Sequence, residues 1–483
     1  MMHSKVTAAL VGGGLIGLVA GFGSPACSSA GGGTAGGGGF GATSGGDSSL
    51  GGTGNAAASG GNEGGIIIDV NVEATPPCKG LQCDIPSCSG GGTTTISGTV
   101  YAPNGTLPLY NAIVYIPLFR DEPLDPITLG ASCDKCNASI KNTVRTTLSD
   151  HEGKFTLENV PAGANIPLVV QIGKWRRMVT LPSVDPCTSN ALSDPAYTRL
   201  PKNQSEGDMP QMAMVTGGCD PLPCLFRKIG IDDPEFSNPN GAGRMHIFRG
   251  RGGADVQGGG APNAWQGLWD SLGNLMKYDI TLLSCECDEY NGDKSAAQKG
   301  FMRDYLNLGG RVFATHFHYT WFKNGPTEFQ ALADWQSPST SNPYTIETGF
   351  PKGMAFMQWL QFVSTSVTTD QINLTEIRHD VATVNPGAQR WIYKPAAGSI
   401  KESVKYFTFN TPIGAEPESQ CGRGVFSDIH VSSGSASTVP TSCNSNPLTD
   451  QEKALVFLFF DLSSCIQPDD EKPVPPPVPA PAP

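Results

Sequence analysis

From about residue 210, short apolar runs alternate along the chain with stretches of helical periodicity. The clearest helical stretch is DKSAAQKGFMRDYLNLGG, in which Asp293 stands at the N-cap position and Gly309 ends the apolar face. It separates two runs of strand-like composition, YDITLLSCE and RVFATHF. Strands that alternate with helices pair in parallel and are covered by helices on both faces. The pattern predicts a doubly wound, parallel α/β sheet over residues 210–466.

The segment ahead of this region has the period of two that is typical of half-buried strands. It contains the stretches TTTISGTVYAPNG and DHEGKFTLENVPAG, in which apolar and polar residues alternate between tight turns. Short strands at this spacing indicate a β-sandwich. The chain is therefore expected to be a multi-domain protein, with an N-terminal β-sandwich over residues 93–185 and the α/β domain behind it.

Residues 1–27 have the features of a secretory signal peptide: a basic start, an apolar stretch and small residues before Cys27. Ser24 and Ala26 suit ordinary signal peptidase, whereas a cysteine directly after Ala26 suits lipoprotein processing. The Gly/Ser-rich start of segment 28–92 is typical of a flexible tether, which favours the second alternative. We expect an exported protein of the bacterial cell envelope, anchored in the outer membrane or at the cell surface through lipid on Cys27. Simple secretion is the alternative.

The charge and hydropathy of the chain argue against a nucleic-acid partner and against a membrane-spanning segment. The net charge is −12 and there is no dense basic block, so no nucleic-acid partner is expected. Beyond the signal peptide no apolar run reaches the roughly 18 residues that a membrane span requires, which leaves the lipid as the expected membrane contact. The Pro-rich stretch 467–483 is typical of a disordered tail.

The chain has 14 cysteines, and in an exported protein cysteines indicate disulfides. If Cys27 carries lipid, an odd number remains and at least one thiol is free or pairs with another molecule. Cys133 and Cys136 form an isolated C-x-x-C, for which a local disulfide is expected rather than zinc. A second group follows the predicted strands, and its members are expected to form crossed disulfides rather than a reactive thiol: Cys219, Cys224, Cys285 and Cys287.

The β-rich segment resembles a known family. The phrases ISGTVYAPNG, DHEGKFTLENVPAG and LVVQIGKWRR are similar to the carboxypeptidase regulatory-like (transthyretin-like) domain, with an insertion around Cys133. The resemblance implies a β-sandwich. It says little about activity, because such domains commonly serve as accessory or adhesive modules.

The region 210–466 resembles the class I glutamine amidotransferase-like fold, including its non-glutaminase relatives. The likeness is carried by three segments that end predicted strands, DITLLSCEC, RVFATHFHY and VFSDIHVSS. In that family the first segment ends in glycines of the oxyanion hole and the second in a nucleophilic cysteine on a sharp elbow. The third supplies the catalytic histidine and its orienting glutamate.

Carried over to this chain, the family pattern is mostly replaced. Cys285 and Glu286 stand where the oxyanion glycines belong, and His316 takes the place of the nucleophile. His430 matches the base, and Ser432 stands where the glutamate should be. Thiolate attack on an amide requires a cysteine beside the histidine and donors aimed at the oxyanion. The substitutions therefore predict that glutaminase chemistry is lost.

What remains is a group of histidines at the predicted strand ends. His316, His318 and His430 could converge with Asp428 into a zinc or iron site, and His316 and His430 are the candidate catalytic residues. The alternative is that these histidines are hydrogen-bonded in a polar cleft without a metal. An extended strand would direct residues 316 and 318 to the same side, whereas an elbow after Thr315 would splay them.

The aromatic residues that follow could line the same cleft. Tyr319 and Trp321, beside His318 and Asp428, would suit a carbohydrate or small polar ligand, although such side chains more often pack in a core. No cofactor is expected. The favoured function is a non-catalytic binding or scaffolding role at the cell surface. The alternative is a hydrolase or lyase that uses a histidine-lined cleft with or without a metal.

Overall fold

The computed structural model describes residues 77–431 and 437–478. The predicted signal peptide with Cys27, most of the predicted tether and Ser432 lie outside the described residues. All described residues belong to one compact unit.

The β-rich part consists of two small sheets, in which β4-β1-β7 form one and β3-β2-β5-β6 the other. Their strands are β1 (Thr95–Thr99), β2 (Ile113–Pro117), β3 (Thr143–Leu148), β4 (Lys154–Glu158), β5 (Gly163–Ile172), β6 (Trp175–Val184) and β7 (Ser189–Ala191). Alternation sets the buried face, as in β4, where Phe155 and Leu157 are buried between exposed neighbours. The β-rich, two-sheet character predicted from the sequence is confirmed.

The rest of the chain is mixed α/β. Its elements are β8 (Met212–Thr216), α1 (Leu222–Lys228), β9 (Phe236–Ser237), β10 (Met245–Arg249), β11 (Asp255–Val256), α2 (Ala264–Gly267), α3 (Leu272–Leu275), β12 (Ile280–Leu283), α4 (Ala296–Asn307), β13 (Arg311–Thr315), α5 (Thr320–Lys323), α6 (Thr327–Gln330), β14 (Ala333–Asp334), β15 (Tyr344–Ile346), α7 (Pro351–Val363), β16 (Gln371–Ile372), β17 (Thr383–Val384), β18 (Gln389–Lys394), β19 (Ser403–Thr411), β20 (Gly422–Ser427), β21 (Thr438–Val439) and α8 (Asp450–Ser463).

The main sheet has the strand order β16-β15-β18-β19-β20-β13-β12-β8-β10-β9 in the described part of the chain. The pairs from β20 to β9 are parallel, as the alternation of strands and helices predicts. The prediction of a purely parallel sheet is wrong, because β19 runs antiparallel to β20 and further antiparallel strands extend that edge. Strands β18 and β19 follow each other without an intervening α-helix, as antiparallel neighbours can, whereas α7 lies between β15 and β16.

Both faces of the parallel strands are buried. Met212 and Met214 of β8 face the core that also contains the β-rich part and α8, whereas Ala213 and Val215 face the core beneath α4. Burial on both faces explains why these strands read as continuous apolar runs.

Two helix starts test the sequence signals for capping. Helix α8 begins at a capping box, in which Thr449 and Glu452 bond reciprocally to each other's backbone. Helix α4 begins later than predicted, because Ser295 is its N-cap. Asp293 is engaged elsewhere, since its carboxylate accepts hydrogen bonds from the Arg251 guanidinium.

The β-rich part shares a core with the main sheet. Trp175 of β6 packs edge-on against Phe459 and Phe460 of α8. A fragment of residues 93–185 folded on its own would expose this fully buried indole. That exposure would destabilise a domain with the boundaries predicted from the sequence. Those boundaries stay a prediction.

Six disulfides lie within the described residues. They join Cys78–Cys83, Cys88–Cys187, Cys133–Cys421, Cys136–Cys465, Cys219–Cys287 and Cys224–Cys443. The predicted Cys133–Cys136 bridge is wrong: both cysteines tie the insertion to the far end of the chain. The predicted crossed set is correct only for Cys219–Cys287. Cys285 is the free cysteine of the described part of the chain, and disulfides in this number fit an exported protein.

The stretch after α8 is described as far as residue 478. Although the sequence predicts a disordered tail from residue 467, Asp469 is bonded to the buried Arg423, and the carbonyl of Pro476 accepts a hydrogen bond from Thr146. A buried ion pair accounts for the order that composition alone does not predict.

In the part of the chain covered by the structure, no helix has both the length and the apolar character of a membrane span.

Candidate functional site

The predicted site residues follow the carboxyl ends of four adjacent parallel strands. Strands β8, β12, β13 and β20 lie side by side in the order β20-β13-β12-β8. Residues that follow these strands meet at one edge of the sheet, which is where open α/β sheets place ligands. The sequence predicted this convergence through the three segments that contain Cys285, His316 and His430.

His316 sits on a sharp elbow directly after β13. Its backbone φ is +40°, and the chain turns at once into helical turns over His316–Tyr319 and α5. A positive φ is uncommon for a non-glycine residue and marks a backbone held by its surroundings. Of the two alternatives for residues 316 and 318, the elbow is the correct one. Their side chains consequently point into different environments.

Cys285 follows β12 and is held against the end of β8. Gly217 permits this approach, because a Cβ at that position would lie 2.1 Å from the carbonyl oxygen of Cys285. The same carbonyl accepts a hydrogen bond from the N–H of Cys219, whose side chain is bonded to Cys287. The Cys285 thiol is thereby fixed and fully buried.

His430 follows β20, and its backbone is held from two sides. Its N–H donates to the carbonyl of Glu376, and its own carbonyl accepts from the Gln451 side chain. Its ring is 1% exposed, yet neither ring nitrogen has a hydrogen-bond partner among the described residues. A buried polar group without a partner costs about 1–3 kcal/mol, and in this ring both nitrogens are left without one.

Cys285, His316 and His430 form one compact donor cluster. The Cys285 Sγ lies 3.2 Å from Nδ1 of His316, and the two imidazole rings lie 5.4 Å apart. One donor atom from each of the three residues lies within 4.8 Å of the others. Behind His316, its Nε2 lies 3.6 Å from Oδ2 of Asp380. The cluster could hold a metal ion, and its thiol–imidazole–carboxyl order could also serve nucleophilic catalysis.

Burial governs the protonation of the cluster. It raises the pKa of the Cys285 thiol to about 12, and two N–H donors, those of Cys287 and Phe317, only partly offset it. Burial, with the nearby Arg378 charge, lowers the pKa of His316 and of His430 to about 3. All three groups are therefore neutral near pH 7. The shifts oppose proton transfer from the thiol to His316, so they disfavour a thiolate–imidazolium pair.

Two acidic residues beside the cluster also lie in a buried environment. Burial and the neighbouring Asp428 raise the pKa of Asp380 to about 9, and burial raises that of Asp220 to about 7. An oxygen of each carboxyl group lacks a hydrogen-bond partner among the described residues. Neither residue could be found from the sequence, because neither belongs to a motif.

His318 does not join the donor cluster. Its Nε2 donates to the carbonyl of Ser284 at 2.9 Å, and its Nδ1 accepts from Nε1 of Trp321 at 3.1 Å. Both ring nitrogens are occupied and the side chain is buried, so the prediction that His318 is a metal ligand is corrected. The elbow at His316 is the physical reason, since it turns the two rings apart.

The predicted aromatic rim is also absent from the described surface. Trp321 is fully buried, and Tyr319 is 7% exposed with its hydroxyl donating to Glu289. These side chains pack under the sheet edge with Trp269 and Phe426, the more frequent use of such aromatics. They offer no open face for a carbohydrate ring.

Asp428 lies at the end of β20 as a fully buried structural residue. Its Oδ2 accepts from the backbone N–H of Asp380 and lies 3.8 Å from Nζ of Lys405. It therefore holds the loop that carries Asp380 over the cluster, and it is not one of the three converging donors.

No known family model and no curated protein matches the chain.

Proposed function

We propose that this chain is an exported binding protein of the bacterial cell envelope, held there by lipid on Cys27. In this proposal its β-rich part is a transthyretin-like accessory domain. Its α/β part is a relative of the class I amidotransferase-like fold that binds a ligand at the carboxyl edge of the sheet without hydrolysing amides. The arrangement of strands and the elbow after β13 are compatible with these two resemblances.

One observation carries the proposal: the elbow position that presents the nucleophile in that family holds the imidazole of His316. The thiol nearest to it, Cys285, is fully buried with a raised pKa. A buried, protonated thiol is a poor nucleophile, because the thiolate is the reactive form and must reach its substrate. Binding at this edge requires neither property.

A second candidate function, a thiol hydrolase with a relocated nucleophile, is favoured by the line of contacts from Cys285 through His316 to Asp380. The distances are 3.2 Å from sulfur to imidazole and 3.6 Å from imidazole to carboxyl. This is the order of nucleophile, base and orienting group that acyl transfer uses. It would require the thiol to become exposed and ionised.

Activity and alkylation assays on the purified, non-reduced protein separate the two candidates. We expect no release of ammonia from glutamine or acyl-amide substrates above the buffer rate. We also expect iodoacetamide to label Cys285 only after unfolding in denaturant, since burial protects the thiol. Hydrolysis that Cys285→Ser abolishes, together with fast labelling of the native protein, would reject the binding proposal in favour of the second candidate.

The lipid anchor has its own test in cell fractionation. Cys27→Ala should move the protein from the membrane fraction to the soluble exported fraction, because the acylated residue is lost. Ser28→Ala, the adjacent substitution, should leave the distribution unchanged. Equal partitioning of Cys27→Ala and the parent protein would replace anchoring by simple secretion.

A further inference from the structure

The identity of the ligand can be argued from the donor cluster, and this step rests on the proposed binding function. Cys285, His316 and His430 come from three neighbouring strand ends and place their donor atoms within 4.8 Å of one another. Around one zinc-sized ion, sulfur and nitrogen ligands lie about 3.3–3.6 Å apart. Sγ of Cys285 and Nδ1 of His316 already lie 3.2 Å apart. The third donor, from the unpartnered His430 ring, lies within 4.8 Å of both and would have to move closer to complete the site.

The sulfur of Cys285 lies in surroundings that suit an anionic ligand. The backbone N–H groups of Cys287 and Phe317 face it. Hydrogen bonds from N–H groups stabilise a thiolate more than a thiol, and they recur around metal-bound cysteines. The disulfide between Cys219 and Cys287 fixes one of these donors in position.

The two histidines meet the remaining requirements of metal ligands. His430 is 1% exposed, and neither of its ring nitrogens has a partner among the described residues, so coordination would satisfy one of them. His316 directs Nδ1 toward the sulfur and Nε2 toward Asp380. A carboxylate at the far nitrogen is the usual partner that orients a metal-bound imidazole.

Charged groups of both signs lie around the cluster. Asp220 and Asp428 are buried beside it and Asp380 is partly buried, and each has an oxygen without a partner among the described residues. The Arg378 charge lies near both histidines. A thiolate with two neutral imidazoles leaves one positive charge on a divalent complex, which the ionised form of one of these carboxyl groups would offset.

We infer that Cys285, His316 and His430 bind one divalent late first-row transition-metal ion, with Asp380 as a positioning residue. Soft thiolate with imidazole selects the cobalt-to-zinc part of the series, whereas Mg²⁺ and Ca²⁺ require oxygen ligands. Binding forms the metal–sulfur bond and releases the thiol proton to solvent, so no oxidant or reductant is required.

The test uses the full exported protein, stripped with a chelator, incubated with Zn²⁺ and dialysed against metal-free buffer. We expect one retained zinc ion per chain, and none after incubation with Mg²⁺. Co²⁺ in place of Zn²⁺ should give a sulfur-to-cobalt charge-transfer band that Cys285→Ser removes. His316→Ala and His430→Ala should lower metal affinity by far more than the roughly 10- to 100-fold expected for Asp380→Asn.

A matched control is His151→Ala, which removes an imidazole from a turn outside the cluster and should retain the ion. Circular dichroism of the metal-free variants checks their folding, and the zinc content and cobalt band of the parent protein do not depend on any variant. Failure of the parent protein to retain zinc would overturn the inference. So would retention that Cys285→Ser and His430→Ala leave unchanged in folded protein. Amide hydrolysis would instead reject the proposed function, so the two failures are distinguishable.

Discussion

Replacing Arg423 by alanine should lower the free energy of unfolding by about 3–5 kcal/mol, the usual result of breaking a buried ion pair. The guanidinium is 2% exposed and bonds to Asp461 of α8 and to Asp469 of the following segment. Lys352 of α7 supplies the second positive charge, 2.9 Å from Asp461. Burial alone would raise the pKa of Asp461, but Lys352 and Arg423 hold it below its usual range. Without Arg423, two buried carboxylates would share one lysine.

Denaturant unfolding of the disulfide-intact protein measures the effect, as a lower midpoint at unchanged slope. Arg303→Ala is the matched control, because Arg303 forms its ion pair at the surface and should cost at most about 1 kcal/mol. Arg423→Met combined with Asp469→Asn should recover much of the loss, since Lys352 still pairs with Asp461 and no uncompensated charge is then buried. A loss for Arg423→Ala no larger than that of Arg303→Ala would show that the network does not stabilise the fold.

This network bears on the site as well as on stability. Arg423 lies in β20, the strand that leads to Asp428 and His430. By joining α7, α8 and the stretch after α8 to the back of β20, it fixes the strand from which the third donor of the cluster projects. A destabilised β20 would therefore also weaken retention of the inferred metal ion.

The parallel strands and the longer helices could be predicted from the sequence because their signals are local. β8, β12, β13 and β20 are apolar runs of strand length, and the capping box of α8 is contained within four residues. The antiparallel extension could not be predicted in the same way. β18 and β19 have strand composition, but nothing local specifies that they add to the β20 edge rather than form a separate sheet.

Disulfide pairing likewise could not be predicted from local sequence. Cys133 and Cys136 are neighbours in sequence, yet their partners lie 288 and 329 residues away. Spacing favours a local bridge, whereas the fold brings the insertion beside the ends of α8 and β20. The odd cysteine count did predict a free thiol among the residues that follow Cys27, but not that Cys285 would be that thiol.

The position of the site in the fold could be predicted from the sequence, but the set of side chains that form it could not. Strand ends located His316 and His430 at one edge. The elbow decided which imidazoles converge, and a backbone φ cannot be read from the letters HFH. Asp380 reaches the cluster from a loop held by hydrogen bonds to Asp428, a contact between residues 48 positions apart.

Lys294→Met should lower the free energy of unfolding by about 3–5 kcal/mol through loss of the charge that compensates Glu286. Lys294 Nζ lies 2.6 Å from Oε2 of Glu286, and both side chains are 1% exposed. The other carboxylate oxygen of Glu286 accepts from the backbone N–H of Arg251, so the pair also fixes the loop after β10. The loss is expected to appear as a lower denaturation midpoint, with Lys323→Met, a lysine on the neighbouring α5, as a milder control.

The double variant Lys294→Met with Glu286→Gln is expected to recover most of the stability, because the removal of both charges leaves a hydrogen-bonding amide rather than a buried anion. Lack of recovery would mean that Lys294 acts through packing against Trp269 instead of through charge. Glu286 directly follows Cys285, so its pairing with Lys294 anchors the turn that holds the Cys285 sulfur beside His316. Zinc retention by the single variant should therefore fall along with its stability, and the double variant should regain both.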